Sequence, residues 1–143
     1  MSLKIYWPKL FASDIAMSRF LRSMRAMVPL QNDHLIKLYA AGRSEGLCFT
    51  ASEFVAGESA AELIERSGIA GMLEWRQTWR IAVGVAEAIA YLHAHQILHR
   101  SLHPANILIR AADGCVKLGD SVLAKSLDEL EQPALTAHGD VVG

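Results

Sequence analysis

His99-Arg100-Ser101-Leu102-His103-Pro104-Ala105-Asn106-Ile107-Leu108 is the stretch around which this chain is organised. It lies between a long helical pattern and a short apolar run. On its N-terminal side, Trp79, Ala82, Val85, Ala86, Ile89 and Leu92 or His93 recur at helical spacing, which predicts a helix over about residues 74–95 with those residues on its buried face. The many alanines of that segment allow close packing on a neighbour. On its C-terminal side, Ile107-Leu108-Ile109 and Val116-Lys117-Leu118 predict two short strands around the turn Ala112-Asp113-Gly114. Beyond Asp120 the pattern weakens, and residues 126–143 are expected to form a loop.

Toward the N-terminus, Leu3-Lys4-Ile5-Tyr6 predicts a strand that Trp7-Pro8 ends. Ser13 or Asp14 is placed to cap a helix carrying Ile15, Phe20, Leu21, Met24, Met27 and Val28 on one face, closed by Pro29. Leu35-Ile36-Lys37-Leu38-Tyr39-Ala40 predicts a strand, Ala41-Gly42-Arg43-Ser44-Glu45-Gly46 a turn, and residues 47–54 the returning strand of a hairpin. Val55-Ala56-Gly57-Glu58 reads as a linker in which Gly57 supplies backbone freedom. Ser59 with Glu62 three residues on forms a capping box for a helix to Arg66, and Ser67-Gly68-Ile69-Ala70-Gly71 reads as a loop. A strand and helix, a hairpin, then mostly helix with small strands is an α+β order with two lobes.

Composition narrows the function. The chain has 143 residues, 52% of them hydrophobic, with a net charge of -1. That is enough apolar material for a folded core, and it argues against disorder. Interspersed charges of both signs leave no broad electrostatic footprint for nucleic acid or an anionic membrane. No targeting segment is visible, and the most apolar run, residues 81–90, is broken by Glu87 and falls short of the ~20 residues that span a bilayer. The expected location is cytoplasmic. Cys48 and Cys115 are the only cysteines and are read as buried, reduced thiols. Of the tryptophans, Trp79 is expected in the core, and Trp7 and Trp75 partly buried. His95, His99 and His103 are spaced by four, but the helix ends near Gln96, so they do not share a face as zinc ligands would. His93 and His99 are expected to be packed, hydrogen-bonded structural histidines.

The linked motifs resemble the eukaryotic-type Ser/Thr protein kinase family, in its bacterial-like form. The opening stretch is similar to the catalytic loop H-R-D-L-K-P-x-N-I-L. Leu92-His93, Ile97 and His99-Arg100 match L-H-x-x-x-I-x-H-R-D, and Val116-Lys117-Leu118-Gly119-Asp120-Ser121-Val122-Leu123-Ala124-Lys125 resembles V-K-L-x-D-F-G-L-A-K. Upstream, Ser2-Leu3-Lys4-Ile5 is similar to the A-x-K strand and Ser52-Glu53-Phe54-Val55 to the hinge. The resemblance implies a two-lobed kinase-like fold, truncated, with residues 1–54 in the small lobe, 55–58 as hinge and 59–143 in the large lobe up to the activation loop. No G-x-G-x-x-G precedes the lysine strand and no A-P-E follows, so an incomplete kinase domain is expected. Its sheet would have an unpaired edge along residues 3–6, its long helix would expose apolar surface, and association would follow.

The same resemblance implies ATP and magnesium as cofactors. Lys4 would pair with the α and β phosphates, Glu53, Val55 and Leu108 would line the nucleotide, and Asn106 and Asp120 would hold the metal, a hard cation that prefers oxygen donors. On residue type alone, Lys4 is an ordinary solvated strand lysine, and Asn106 and Asp120 are ordinary turn and strand-end residues. Arg100 matches the arginine that reads activation-loop phosphorylation, or it donates to backbone carbonyls. The departures cluster at the chemistry. Ser101 stands at the catalytic Asp, His103 at the Lys, Ser23 at the helix Glu that holds the lysine, and Ser121 and Val122 replace the Phe and Gly after the metal-binding Asp. A general base contributes about 10²–10⁴ in rate, roughly 3–5 kcal/mol of barrier, and a serine hydroxyl cannot supply it. The expected function is therefore a kinase-like domain that binds ATP and magnesium but is catalytically impaired. The alternatives are an active Ser/Thr kinase with an atypical base such as His103, or a non-functional kinase fragment. Neither a protein partner nor a substrate is legible.

Overall fold

The computed structural model describes residues 1–11, 13–67, 73–119 and 125–126. The chain divides into two compact units, Met1–Asn32 with Ile36–Phe54, and Asp33–Leu35 with Val55–Gly143. Helices and antiparallel strands are mixed, as the α+β reading requires.

The first unit contains β1 (Ser2–Tyr6), a short 3-10 turn over Pro8–Leu10, α1 (Asp14–Met27), β2 (Leu38–Ser44) and β3 (Leu47–Ser52). The sheet order is β1-β3-β2, antiparallel throughout, so among the described residues β1 forms one edge. The central strand β3 is the most enclosed, and Cys48 on it is fully buried; burial pushes its thiol pKa up, against a smaller opposing pull from Arg43. Helix α1 starts where the Ser13 hydroxyl accepts from the Ala16 N–H at 3.1 Å, and Asp14 adds an acid in the first turn. Its buried stripe is Met17, Leu21, Met24 and Met27. Ile15, expected on that face, is 66% exposed, and Met17 takes the buried place one helical turn before Leu21. Tyr6 closes the end of the sheet, with its ring edge-on to Phe20 and its hydroxyl 3.3 Å from that of Thr50.

The hairpin is tighter than its sequence suggests. β2 begins at Leu38 and runs on through the expected turn to Ser44, so only Glu45 and Gly46 make the reversal, both with positive φ (49° and 82°). A two-residue turn of that kind matches the twist of paired strands, which favours it over a longer loop. Leu35, expected in this strand, instead bridges Leu118 in the second unit.

The second unit contains β4 (Gly57–Ser59), α2 (Ala60–Arg66), α3 (Trp75–Ala94), β5 (Ile97–Leu98), a 3-10 turn over Pro104–Asn106, β6 (Ile107–Arg110), β7 (Val116–Leu118) and β8 (Lys125–Ser126). β4-β6-β7 form one antiparallel sheet and β5-β8 a separate pair. The capping box of α2 is present: Ser59 Oγ accepts from Glu62 N at 3.1 Å, and Glu62 Oε2 accepts from Ser59 N at 2.7 Å. These bonds hold the Glu62 carboxyl below its usual range. Its contribution is therefore complete above the ordinary glutamate pKa and is lost as pH falls through the lowered value. Ser59→Ala is expected to cost about 0.5–2 kcal/mol in urea unfolding; no change would mean that the box is idle.

Gly57 is not there for backbone freedom. It lies in β4 opposite Arg110, and a Cβ at Gly57 would run into the Ile109 carbonyl. Gly57→Ala is expected to destabilise by about 1–3 kcal/mol through this backbone clash, read as a fall in the urea midpoint.

Helix α3 buries only part of the expected face: Leu92 is buried and Val85 and Ile89 are half-buried, but its Trp79 end turns outward. Gly84, Ala88 and Leu92 are buried, whereas Trp79, expected in the core, is 67% exposed and Trp75 is 66% exposed. Trp7 on the first unit is 67% exposed as well. The small residues decide the outcome. A Cβ on Gly84 would lie 2.8 Å from that of Val116, so the helix meets β7 along its smallest side chains and turns its tryptophans out. Arg76 lies over the Trp75 ring at 4.6 Å. The His34 segment is tied to the same place. Leu118 N donates to His34 O at 2.8 Å, His34 Nδ1 is 2.8 Å from Val116 O, and Nε2 is 3.0 Å from Glu87. No helix among the described residues is long and apolar enough to cross a membrane.

Candidate functional site

The loop after α3 is built by backbone reversals and two buried side chains. Gln96 has φ 58° and ends the helix in a left-handed conformation. Arg100 has φ 61°, which for a non-glycine residue costs about 1–2 kcal/mol and turns the chain before Ser101. His99 is buried, with Nε2 2.9 Å from Gly119 O; a carbonyl only accepts, so this nitrogen donates. The bond joins the loop to the end of β7. Two backbone bonds reinforce it, Asn106 N to His103 O at 2.9 Å and Gly119 N to Asn106 O at 2.8 Å.

Asn106 is the hub. It is 7% exposed, and its amide nitrogen Nδ2 lies 2.8 Å from Ser101 O, 2.9 Å from Ser101 Oγ and 2.9 Å from His103 Nε2. The two positions at which the loop departs from the family, 101 and 103, thus meet at one atom of a third residue. The reading of the sequence placed these three residues in one loop but missed that contact. The only signal was the Pro104 turn, which brings residue 106 back over 101 and 103.

The remaining sequence-derived candidates are distributed as follows. Lys4 lies on β1 opposite Thr50, exposed, with Nζ 5.7 Å from the Tyr6 ring centroid. Ser23 is half-buried on α1. Glu53 donates its N–H to Lys37 O at 2.8 Å and accepts from Lys37 N at 3.3 Å. These three belong to the first unit. Val55 is buried in the second unit, and Leu108 is half-buried in β6 between Ser59 and Lys117. Asp120, Ser121 and Val122 lie outside the described residues. His93, expected to be packed, is exposed on the outer face of α3, for the same reason as Trp79. Cys115, expected buried, is only half-buried. Beside it, Arg110 grips Asp113 through two bonds of 2.9 and 2.7 Å and Cys115 N adds a third, which hold the Asp113 carboxyl far below the usual carboxylate range and brace the β6–β7 turn.

The donor set suits a hard divalent cation in part. The Asn106 amide nitrogen faces acceptors, and its oxygen Oδ1 is of the donor type that such a cation prefers. The loop from 99 to 106 contains no carboxylate, so the carboxylate base that the resemblance implies is missing from it.

Residues 4–141 match the protein tyrosine and serine/threonine kinase family. The chain is similar to a probable serine/threonine-protein kinase PknB of Bifidobacterium longum, 29% identical over 99% of this chain and 21% of the relative. It is also similar to the serine/threonine-protein kinase PknA of Corynebacterium glutamicum, 31% identical over 99% of this chain and 30% of the relative. Among solved structures, the PknI kinase domain of Mycobacterium tuberculosis superposes with a TM-score of 0.77 at 28% identity, covering 86% of this chain and 49% of that domain. The chain therefore spans less than a third of these two curated relatives and about half of the solved domain. Motifs, fold and relatives agree: this chain belongs to the protein kinase family.

Proposed function

We propose that the chain is a kinase-like binding module that holds ATP with magnesium and is impaired in phosphoryl transfer. Lys4 would take the phosphates, Glu53, Val55 and Leu108 the nucleotide, and Asn106 with Asp120 the metal. Bound magnesium would supply charge neutralisation at the phosphates. The observation that carries the reading is at Ser101. Where the family has a carboxylate, this chain has a hydroxyl that accepts from Asn106 Nδ2 at 2.9 Å. His103 Nε2 lies 2.9 Å from the same amide nitrogen, which speaks against it as a replacement base. Ser23 at the position of the lysine-holding glutamate points the same way, since a serine cannot form that ion pair.

The test is a thermal shift with ATP, with and without magnesium, beside radiolabel transfer to a generic protein substrate. A gain in melting temperature with transfer at background is the expected result. Failure to shift under either condition sinks the nucleotide reading. Strong transfer that survives Ser101→Ala and disappears in Asp120→Ala sinks the impaired-catalysis reading and establishes an atypical kinase. Ser101→Asp returns the carboxylate, and a gain of about 10²–10⁴ in transfer would identify the base as the one missing part.

A further inference from the structure

We propose that His34 is a protonation-controlled latch: as the imidazolium it ties the 33–35 segment to both α3 and β7, and on losing a proton it lets go of α3 while keeping β7. All of these residues lie in the second unit, and the inference stands apart from the nucleotide reading above.

The segment is held first along its backbone. Three consecutive carbonyls are engaged by residues in or beside β7: Cys115 Sγ is 3.6 Å from Asp33 O, Leu118 N donates to His34 O at 2.8 Å, and Lys117 Nζ donates to Leu35 O at 3.3 Å. The His34 ring then reaches back across. Its Nδ1 lies 2.8 Å from Val116 O, and its Nε2 lies 3.0 Å from the Glu87 carboxylate. A carbonyl only accepts, and so does an ionised carboxylate, so both bonds exist together only when both ring nitrogens carry a proton. Histidine is the side chain whose ordinary change of charge falls between pH 5 and 8. The arrangement is therefore complete on the acid side of that range and loses one bond on the alkaline side.

The surroundings decide which bond is lost. Val116 is 1% exposed, so water has little access to a carbonyl that loses its donor there. The Glu87 side chain is 58% exposed, and water replaces the ring as its partner at little cost. The neutral ring thus keeps its proton on Nδ1 and releases Glu87. The other charged or titratable groups near the ring are accounted for. On α3, the Arg80 guanidinium lies against the turn at Gly114, and the Tyr91 ring contacts that of His95. Cys115 and Lys117 are directed at the carbonyls of Asp33 and Leu35. Glu87 is the group whose opposite charge meets the ring. The closed latch binds the extra proton, so its contribution is full at low pH and is lost as pH rises through the histidine range. β7 runs on toward residue 120, so the charge on His34 sets how firmly that strand is held.

The test uses the full chain as wild type, Glu87→Gln and His34→Asn. A glutamine amide accepts or donates, so Glu87→Gln offers Nε2 a partner in either state of the ring. His34→Asn keeps a donor near the place of Nδ1 but is too short to reach Glu87. The Leu118 amide, which donates to His34 O, reports the hold. Its hydrogen-exchange protection factor is expected to fall about two- to fivefold between the acid and alkaline ends of the histidine range in wild type, the worth of a partly exposed ion pair. It is expected to stay level in both variants. An equal fall in all three forms overturns the proposal, as does no fall in wild type. The ring gives a second readout that needs no variant. ¹⁵N spectra of His34 are expected to show both nitrogens protonated at the acid end and the remaining proton on Nδ1 at the alkaline end. A neutral ring already at the acid end, or a proton left on Nε2 at the alkaline end, overturns the latch whatever the exchange rates do.

Discussion

Leu92→Ala is expected to cost about 2–5 kcal/mol, the range for a large-to-small change in a packed core. Leu92 is fully buried at the C-terminal end of α3, in the same unit as Val116 and Leu118 of β7, each 1% exposed. A native domain has only about 5–15 kcal/mol in hand, so this one change removes a large share of it. Urea denaturation followed by circular dichroism measures the loss. A midpoint equal to that of wild type would mean that α3 does not pack on β7 as described. Gly84→Ala approaches the same interface from the other direction. Its new methyl would meet Val116 Cβ at 2.8 Å and His34 Nδ1 at 2.9 Å, and overpacking of this kind costs about 1–3 kcal/mol.

Asn106→Leu is expected to have two separable effects. The first is structural: Ser101 O loses its donor at 2.8 Å, and an orphaned carbonyl costs about 1–3 kcal/mol. The second is functional: the magnesium-dependent part of any ATP-induced thermal shift should vanish, while the magnesium-independent part remains. The two are told apart by comparing melting temperatures without ligand and then the increments on adding ATP, with and without magnesium. A magnesium-dependent increment equal to that of wild type would show that Asn106 is a loop brace and no metal ligand. Ser101→Asp provides contrast, because a carboxylate keeps an acceptor beside the amide and should leave that increment in place.

How much of this was legible in the sequence depended on how far apart the interacting residues lie. The caps are local. Ser13 and its acceptor bond to Ala16, and the Ser59–Glu62 box, are set within three residues and were readable as written. The β6–β7 hairpin is likewise a neighbour pairing around Gly114. The α3 face was only partly readable: hydropathy placed Leu92 in the core correctly but put Trp79 there too, whereas close approach to β7 at Gly84 turns that end of the face outward. Gly57 had the same difficulty: its reason is Ile109, more than fifty residues away in the chain.

By itself, the sequence determined the family, the α+β class, the helix starts and the loss of the carboxylate at Ser101, since each is written in adjacent residues or in motif spacing. Only the tertiary structure decided which side of α3 is core, that His34 is bound to Val116 across 82 positions, and that Ser101 and His103 converge on the Asn106 amide. The physical reason is the same in each case. Burial and hydrogen bonding are satisfied by whichever groups meet in space, and a linear pattern specifies those partners only when they lie within a turn or two of each other.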